Sequence, residues 1–190
     1  MFLLSNNDIS DTGKINWKYI VEKVFEKMPN WWPRAYMAIV ALVNFRGKAR
    51  PSMLKSIAAK QNIAYRTMLR GINTLINEGL VSRKNTEYEV KEEIYAIVYA
   101  LLRVLNSFER EAEQFLEEDN INALKAYFDL INNLRVKTRA ILEKTGIESR
   151  FIENLFIFAE NYVKESLEYL SYMKRTEKLI KEILPSRKAE

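Results

Sequence analysis

The chain of 190 residues contains no cysteine and no histidine. Without cysteine, disulfide frameworks, thiol nucleophiles, iron–sulfur clusters and cysteine-bound zinc sites are excluded. Without histidine, the chain lacks the side chain that most often performs acid–base catalysis near neutral pH, and also the commonest metal ligand. Glycine and proline are scarce, at five and four residues, which disfavours folds with many strands and turns. We therefore expect a helix-rich protein that is not an enzyme and that holds neither a cofactor nor a metal.

Long apolar runs and catalytic motifs are missing as well. The longest apolar runs, residues 35–45 and 94–105, are shorter than the roughly 20 residues that cross a bilayer. The apolar start Met1–Leu4 is too short for a signal peptide. The sequence has no GxxxxGK[ST] phosphate loop, no GxGxxG and no HExxH. These absences predict a soluble, cytoplasmic protein without enzymatic activity.

The charges of the chain are distributed unevenly. The net charge is +5, but residues 1–90 carry 14 basic and 7 acidic side chains, whereas residues 91–190 carry 16 basic and 18 acidic ones. Between Arg46 and Lys84, nine lysines and arginines accompany the single acid Glu78. This surplus indicates that the first half meets a polyanion and that the second half has another role. A basic face that is merely solvated is the alternative.

Hydrophobic periodicity predicts short helices and one pair of strands in the first half. Pro33 and Pro51 suit helix starts, and Gly47 and Gly79 suit helix ends. Asn85 and Thr86 form a two-residue reversal between the strands, which are the only strand signal in the chain. The predicted helices cover 16–28, 34–45, 53–61 and 64–77, and the predicted strands cover 80–84 and 88–90.

The second half reads as three long helices with heptad seams, at about 92–118, 121–144 and 148–184. Sustained heptads predict a helix bundle or coiled coil. The third helix is longer than its neighbours, so the segment from about Tyr169 to Leu184 needs a second chain or stays exposed. The seam residues are Ile94, Val98, Leu101, Leu105, Phe108, Ala112 and Phe115; then Leu124, Tyr127, Ile131, Leu134, Thr138 and Ile141; then Ile152, Phe156, Ala159, Val163, Ser166, Leu170, Met173, Glu177, Ile180 and Leu184.

Residues 51–90 combine two short predicted helices, a tight turn and the predicted hairpin. Leu54, Ile57 and Ala58 suit the buried positions of the first helix, and Ile63 stands at the turn. Thr67, Met68, Arg70, Ile72 and Leu75 follow in the second helix, and Glu78-Gly79-Leu80-Val81 leads into the hairpin. This pattern resembles the winged helix-turn-helix DNA-binding domain, in which the second helix is the recognition helix and the hairpin is the wing. With residues 33–45 as an additional helix, the resemblance covers about residues 33–90. The layout is similar to that of MarR- and PadR-type regulators, in a variant that looks archaeal, and it implies DNA binding and dimerisation.

A helix buried on Met68, Ile72 and Leu75 presents an outward stripe with the chemistry of a major-groove reader. Basic residues around it can hold phosphates, which position the domain. The side chains expected to face bases are Tyr65, Arg66, Thr67, Arg70, Asn73 and Thr74. The side chains expected to face phosphates are Lys55, Lys60, Arg83 and Lys84.

The sequence therefore predicts a mainly α protein with one small β-hairpin wing: an N-terminal helix and winged helix in residues 1–90, and three long helices for dimerisation or partner binding in residues 91–190. The expected function is sequence-specific binding of double-stranded DNA by a homodimeric transcriptional regulator, dimerised through residues 92–184. One alternative is a DNA-binding adaptor of a segregation or replication complex, whose helical half recruits a protein. Another is a protein-binding module that meets no nucleic acid.

Overall fold

A computed structural model describes residues 15–118 and 121–183 of the chain. The prediction of a mainly helical protein with a small antiparallel sheet is confirmed. Among the described residues, no helix is both long enough and apolar enough to cross a lipid bilayer. The helices are α1 (Trp17–Glu26), α2 (Trp32–Asn44), α3 (Pro51–Lys60), α4 (Tyr65–Asn77), α5 (Glu92–Glu118), α6 (Ile121–Thr145) and α7 (Arg150–Ile183), and the strands are β1 (Lys48–Ala49), β2 (Val81–Lys84) and β3 (Glu87–Val90).

Local chemistry explains where the short helices begin and end. The Asn16 side chain accepts a hydrogen bond from the Tyr19 amide at 3.0 Å and so caps α1. Proline occupies the first turn of α2 and of α3, where its missing N–H costs no helical hydrogen bond. Gly79 follows α4 with a φ of +70°, the left-handed conformation that closes helices at glycine. The four short helices therefore lie within a few residues of their predicted positions.

The sheet has three strands, in the order β1-β3-β2. The expectation that the β2–β3 hairpin is the only strand pair is wrong, because Lys48 pairs with Glu89 and Ala49 with Tyr88 in a second antiparallel ladder. A strand of two residues has too few positions to show alternation in the sequence. It forms because the Val90 amide donates to the Gly47 carbonyl at 2.8 Å, which holds the segment against the open edge of β3.

Helix α4 crosses α2 at very close range. Gly71 of α4 is buried, and a Cβ atom there would lie 2.2 Å from the Arg34 carbonyl oxygen and 2.9 Å from the Ala38 Cβ. Only glycine therefore permits this approach of the two backbones. Met68, Ile72 and Leu75 are buried on the same side of α4, so one whole face of this helix is fixed to the body of the protein.

The heptad seams of the long helices form much of the core. Ile94, Leu101 and Phe108 of α5 and Phe156 and Val163 of α7 are buried, as predicted. The side chains of Phe115 and Ile180, the whole of Leu184 and the first 14 residues lie outside the described parts. Ile141 departs from the prediction at 38% exposure, because it lies in the last turns of α6.

Helix α1 packs on α7 and also contacts α2, where the Phe25 ring meets Trp32 and Tyr36. Lys23 of α1 and Lys27, the residue directly after α1, both bind the buried carboxylate of Glu165, and Tyr19 lies 6.0 Å from Tyr169 between ring centroids. The expectation that α7 lacks a partner in its own chain from Tyr169 onward is therefore partly wrong, because α1 covers this turn. Beyond it, Tyr172 and Leu179 are 67% and 55% exposed.

Aromatic side chains join the two halves of the chain. Trp32 of α2 stacks on Phe151 of α7 at 5.7 Å and on Tyr36 at 4.9 Å, and its indole N–H donates to the Phe151 carbonyl at 3.3 Å. The buried hydrophobic residues form one cluster from Ile15 to Leu170. The core thus passes through the boundary expected near residue 90, and the division into two domains stays a prediction.

Replacing Gly71 with alanine tests the α2–α4 crossing. The added methyl group cannot displace a backbone carbonyl without separating the helices, so Gly71→Ala is expected to lower the free energy of unfolding by about 3 kcal/mol, the upper end of the usual cost of overpacking. Gly79→Ala is the matched control. A Cβ atom at Gly79 meets nothing within 4 Å. Only the left-handed backbone conformation is therefore expected to lower the free energy of unfolding of this variant, by about 1–2 kcal/mol. Urea unfolding of both variants measures the difference, and equal effects would contradict the close crossing.

Candidate nucleic-acid interface

The outward face of α4 carries the centre of the predicted reading stripe. Arg66, Arg70 and Asn73 are exposed, and their spacing of four and three residues places them on one side of the helix. Neither arginine bonds to a carboxylate in the parts of the chain that the structure describes. Because the opposite face of α4 is buried against α2, the stripe points away from the core as predicted.

The flanks of the stripe are less exposed than expected. Tyr65 and Thr67 are half-buried, and Tyr65 packs against the hydrophobic core. Burial raises the pKa of the Tyr65 phenol, with a smaller contribution from Tyr88. Thr74 is half-buried too, and its hydroxyl donates to the Arg70 carbonyl at 3.0 Å. The expectation of six fully outward side chains is therefore too wide, because Thr67 and Thr74 adjoin the buried face of α4 and Tyr65 packs against the core.

The four predicted phosphate contacts lie on two different elements. Lys55 and Lys60 belong to α3, whereas Arg83 and Lys84 belong to β2, and all four side chains are exposed. The guanidinium of Arg83 lies over the Tyr88 ring, 5.8 Å from its centroid. α3 and β2 both contact α4, so the cations lie on elements next to the helix that carries the predicted stripe.

Carboxylates on β3 neutralise part of the basic surplus at the sheet. Glu89 binds Lys48 and Lys84, each at 2.7 Å, and Glu87 binds Arg50 at 2.9 Å. Hydrogen bonds from Lys48 and then Lys84 lower the pKa of Glu89 to about 2. The charge count of the sequence does not reveal this pairing. Arg66 and Arg70 consequently carry more of the uncompensated charge than the hairpin does.

Glu78, directly after α4, connects the reading helix to the long helices. Its carboxylate accepts hydrogen bonds from the Ser149 hydroxyl at 3.0 Å and from the Phe151 amide at 3.3 Å. Ser149 also accepts from the Ile152 amide at 3.3 Å, so both side chains cap the start of α7. Sequence reasoning missed this role of Glu78. Ser149 before an apolar helix is a recognisable capping signal, but its partner 71 residues away is not.

Comparisons with known proteins do not identify this surface. No protein-family model, curated protein or solved structure matches the chain. Among the described residues, no group of three or more acidic side chains is placed to hold a metal ion. The resemblance to a winged helix-turn-helix domain therefore stays a prediction, which the geometry of α3, α4 and the β2–β3 hairpin makes testable.

The acid stability of the sheet tests the role of Glu89. Its pKa falls from an ordinary 4.5 to about 2 in the folded protein, so the ionised carboxylate contributes stability that is complete above the unfolded pKa and is lost as the pH falls. The advantage of the wild type over Glu89→Gln in free energy of unfolding is expected to be constant near neutral pH and to shrink between pH 4.5 and 2.

Urea unfolding at stepped pH measures this advantage. Glu22→Gln is the control, since it removes the same charge from an exposed position on α1 far from the sheet residues. An advantage of the wild type that does not change over the acid range would show that Lys48 and Lys84 do not stabilise the ionised form of Glu89.

Proposed function

We propose that this chain binds double-stranded DNA in a sequence-specific manner and acts as a homodimeric transcriptional regulator, with α4 in the major groove. The observation that carries the proposal is the pair Arg66 and Arg70, exposed one turn apart on a helix whose other face is fixed to α2. A recognition helix needs this combination, because base contacts require long side chains on a rigid support.

The side chains of the stripe suit base edges. Arginine binds the O6 and N7 atoms of guanine through two hydrogen bonds, and asparagine binds adenine in the same bidentate way. Arg66, Arg70 and Asn73 span about 10 Å along the helix at 1.5 Å per residue. Successive base pairs along one groove are therefore within their reach.

The surrounding cations suit the DNA backbone. Lys55 and Lys60 precede α4 on α3, and Arg83 follows it on β2, so phosphates on both sides of a groove have basic partners. Lys84 beside Arg83 already binds Glu89, so we expect it to contribute less than the other three. The hairpin itself is short, and Glu87 and Glu89 add negative charge to it. We propose that the hairpin contacts the backbone and does not insert deeply into the minor groove.

Removing the two arginines tests the reading face. Each of Arg66→Ala and Arg70→Ala is expected to lower affinity for a selected DNA site by about tenfold or more, since a bidentate base contact contributes about 1–3 kcal/mol of discrimination. The double variant is expected to lose preference among sequences. Selection of DNA sites from a random library, followed by titration of selected and scrambled duplexes at fixed salt, measures both effects.

A lysine and a distant arginine provide the controls. Lys55→Ala is expected to weaken binding to every DNA sequence by the same factor. It is also expected to reduce the slope of log affinity against log salt concentration by about 0.9, the value for one lost phosphate contact. Arg175→Ala, exposed on α7, is expected to change neither affinity nor slope. Sequence discrimination that survives in the double variant would refute α4 as the reader.

The distal part of α7 supports the dimer and also favours a second candidate function. Tyr172 and Leu179 are exposed, and their spacing of seven residues places them on one helix face. Pairing of this face with a second copy would give the homodimer of a regulator that reads two half-sites. Pairing with another protein would make the chain the DNA-binding adaptor of a segregation or replication complex.

The mass of the protein in solution separates these candidates. The wild type is expected to form a species of about twice the 22.4 kDa chain, and the double variant Tyr172→Lys with Leu179→Lys is expected to be monomeric, because lysine cannot be buried unpaired at the interface. Val136→Lys on α6, at an equally exposed apolar position, serves as the control. Light scattering measures the masses, and a monomeric wild type would favour the adaptor.

A further inference from the structure

A cleft lies where the end of α2 meets the first half of α5. Its volume is about 310 Å³, within the range of about 300–1,000 Å³ that is usual for small-ligand sites. None of the side chains assigned above to DNA lines it. The site therefore stands independently of the reading face on α4.

Three planar side chains follow one another along α5 and form one wall of the cleft. Tyr95 and Tyr99, four residues apart, stack with ring centroids 5.8 Å apart and an angle of 13° between the rings. Arg103 follows after four more residues, with its guanidinium 6.0 Å from the Tyr99 centroid. Tyr99 is 43% exposed, so the part of its ring that Tyr95 and Arg103 leave uncovered offers an aromatic surface on which a planar ligand can stack.

The α2 wall contributes a cation and an amide over an apolar floor. Arg46 and Asn44 are exposed, whereas Val40, Val43 and Leu102 are buried beneath them. The described residues that line the cleft include two arginines, Arg46 and Arg103, and no carboxylate. The cleft thus combines a stacking surface with a local charge that attracts an anion.

Arg46 closes α2 in a left-handed backbone conformation. Its φ is +57°, and Gly47 after it has a φ of +84°. The Arg46 amide donates to the Val43 carbonyl and the Gly47 amide to the Leu42 carbonyl, both at 2.9 Å, as in the usual closure of a helix. Glycine or asparagine is the common residue at this position, because a larger side chain is disfavoured there. The closure holds Arg46, which has no carboxylate partner among the described residues, in the wall of the cleft.

Gly47 lets the Tyr95 ring lie directly against the turn that closes α2. A Cβ atom at Gly47 would come within 3.1 Å of the Tyr95 ring, so glycine permits the ring to pack against the backbone beside Arg46. The sequence Arg46-Gly47 therefore brings a cation and a stacked pair of tyrosines to one place.

We propose that this cleft binds a free nucleotide, with its base stacked on Tyr99 and its phosphate held by Arg46 and Arg103. A phosphate carries about −1.5 to −2 charges near pH 7, which two guanidinium groups neutralise with charge-assisted hydrogen bonds. Stacking of a base on tyrosine is tolerant of its identity, and the Asn44 amide can donate to or accept from a base edge. An unpaired nucleotide within a single-stranded nucleic acid presents the same base and phosphate to the cleft. The experiment below distinguishes such a strand from a free nucleotide.

Calorimetric titration of the full chain with each of the four ribonucleoside 5′-monophosphates tests the proposal. At least one is expected to bind about tenfold or more tightly than inorganic phosphate, the probe for an anion site alone. Arg46→Asn is expected to weaken nucleotide binding by about tenfold or more while the midpoint of thermal unfolding stays or rises, because asparagine tolerates the left-handed backbone. Tyr99→Phe is expected to retain binding, and Tyr99→Ala to weaken it.

Arg66→Ala is the matched control, because it removes an exposed arginine from the DNA face and leaves the cleft intact. Its nucleotide affinity is expected to equal that of the wild type even where its DNA binding is lost, so failure of one proposal does not imply failure of the other. Absence of heat with all four nucleotides up to about 5 mM would overturn the site. Equal affinity for inorganic phosphate, unchanged binding in Arg46→Asn, or binding of a short single strand without any mononucleotide would overturn it as well.

Discussion

The close crossing of α2 and α4 at Gly71 is the constraint on which the candidate reading face depends. A Cβ atom at this position would lie 2.2 Å from the Arg34 carbonyl, so the absence of a side chain sets the distance between the helices. With that distance fixed, Met68, Ile72 and Leu75 are buried, and the rotation of α4 leaves Arg66, Arg70 and Asn73 facing outward. The orientation of the stripe thus follows from packing on the other side of the helix.

The same packing ties the stripe to the long helices. Glu78 follows α4 and caps the start of α7 through Ser149 and the Phe151 amide, while Trp32 at the start of α2 stacks on Phe151. Both helices that set the reading face therefore meet α7 at its first turn. A change in the position of α7, for example on assembly of two chains, would reach α4 through these contacts.

Electrostatics within the first half are less uniform than its charge count indicates. Nine basic residues lie between Arg46 and Lys84, yet Lys48, Arg50 and Lys84 each bind a carboxylate of β3. Of the arginines in this range that have no carboxylate partner among the described residues, Arg66 and Arg70 lie on α4, Arg83 lies on β2 and Arg46 lines the cleft beside α5. The two proposed anion sites, one for a duplex and one for a nucleotide, therefore use different residues.

The sequence by itself determined the helices, the hairpin and the buried seams, because periodicity, capping residues and turn residues act over a few neighbouring positions. It also predicted the exposure of Arg66 and Arg70, since burial of Met68 and Ile72 fixes the opposite face of a helix. Only the tertiary structure decided the pairing of β1 with β3, the docking of α1 on α7, the neutralisation of Lys84 by Glu89 and the contact of Glu78 with Ser149. Each of these joins side chains or strands from separate elements, and no local pattern encodes which distant residues the packing of the core brings together.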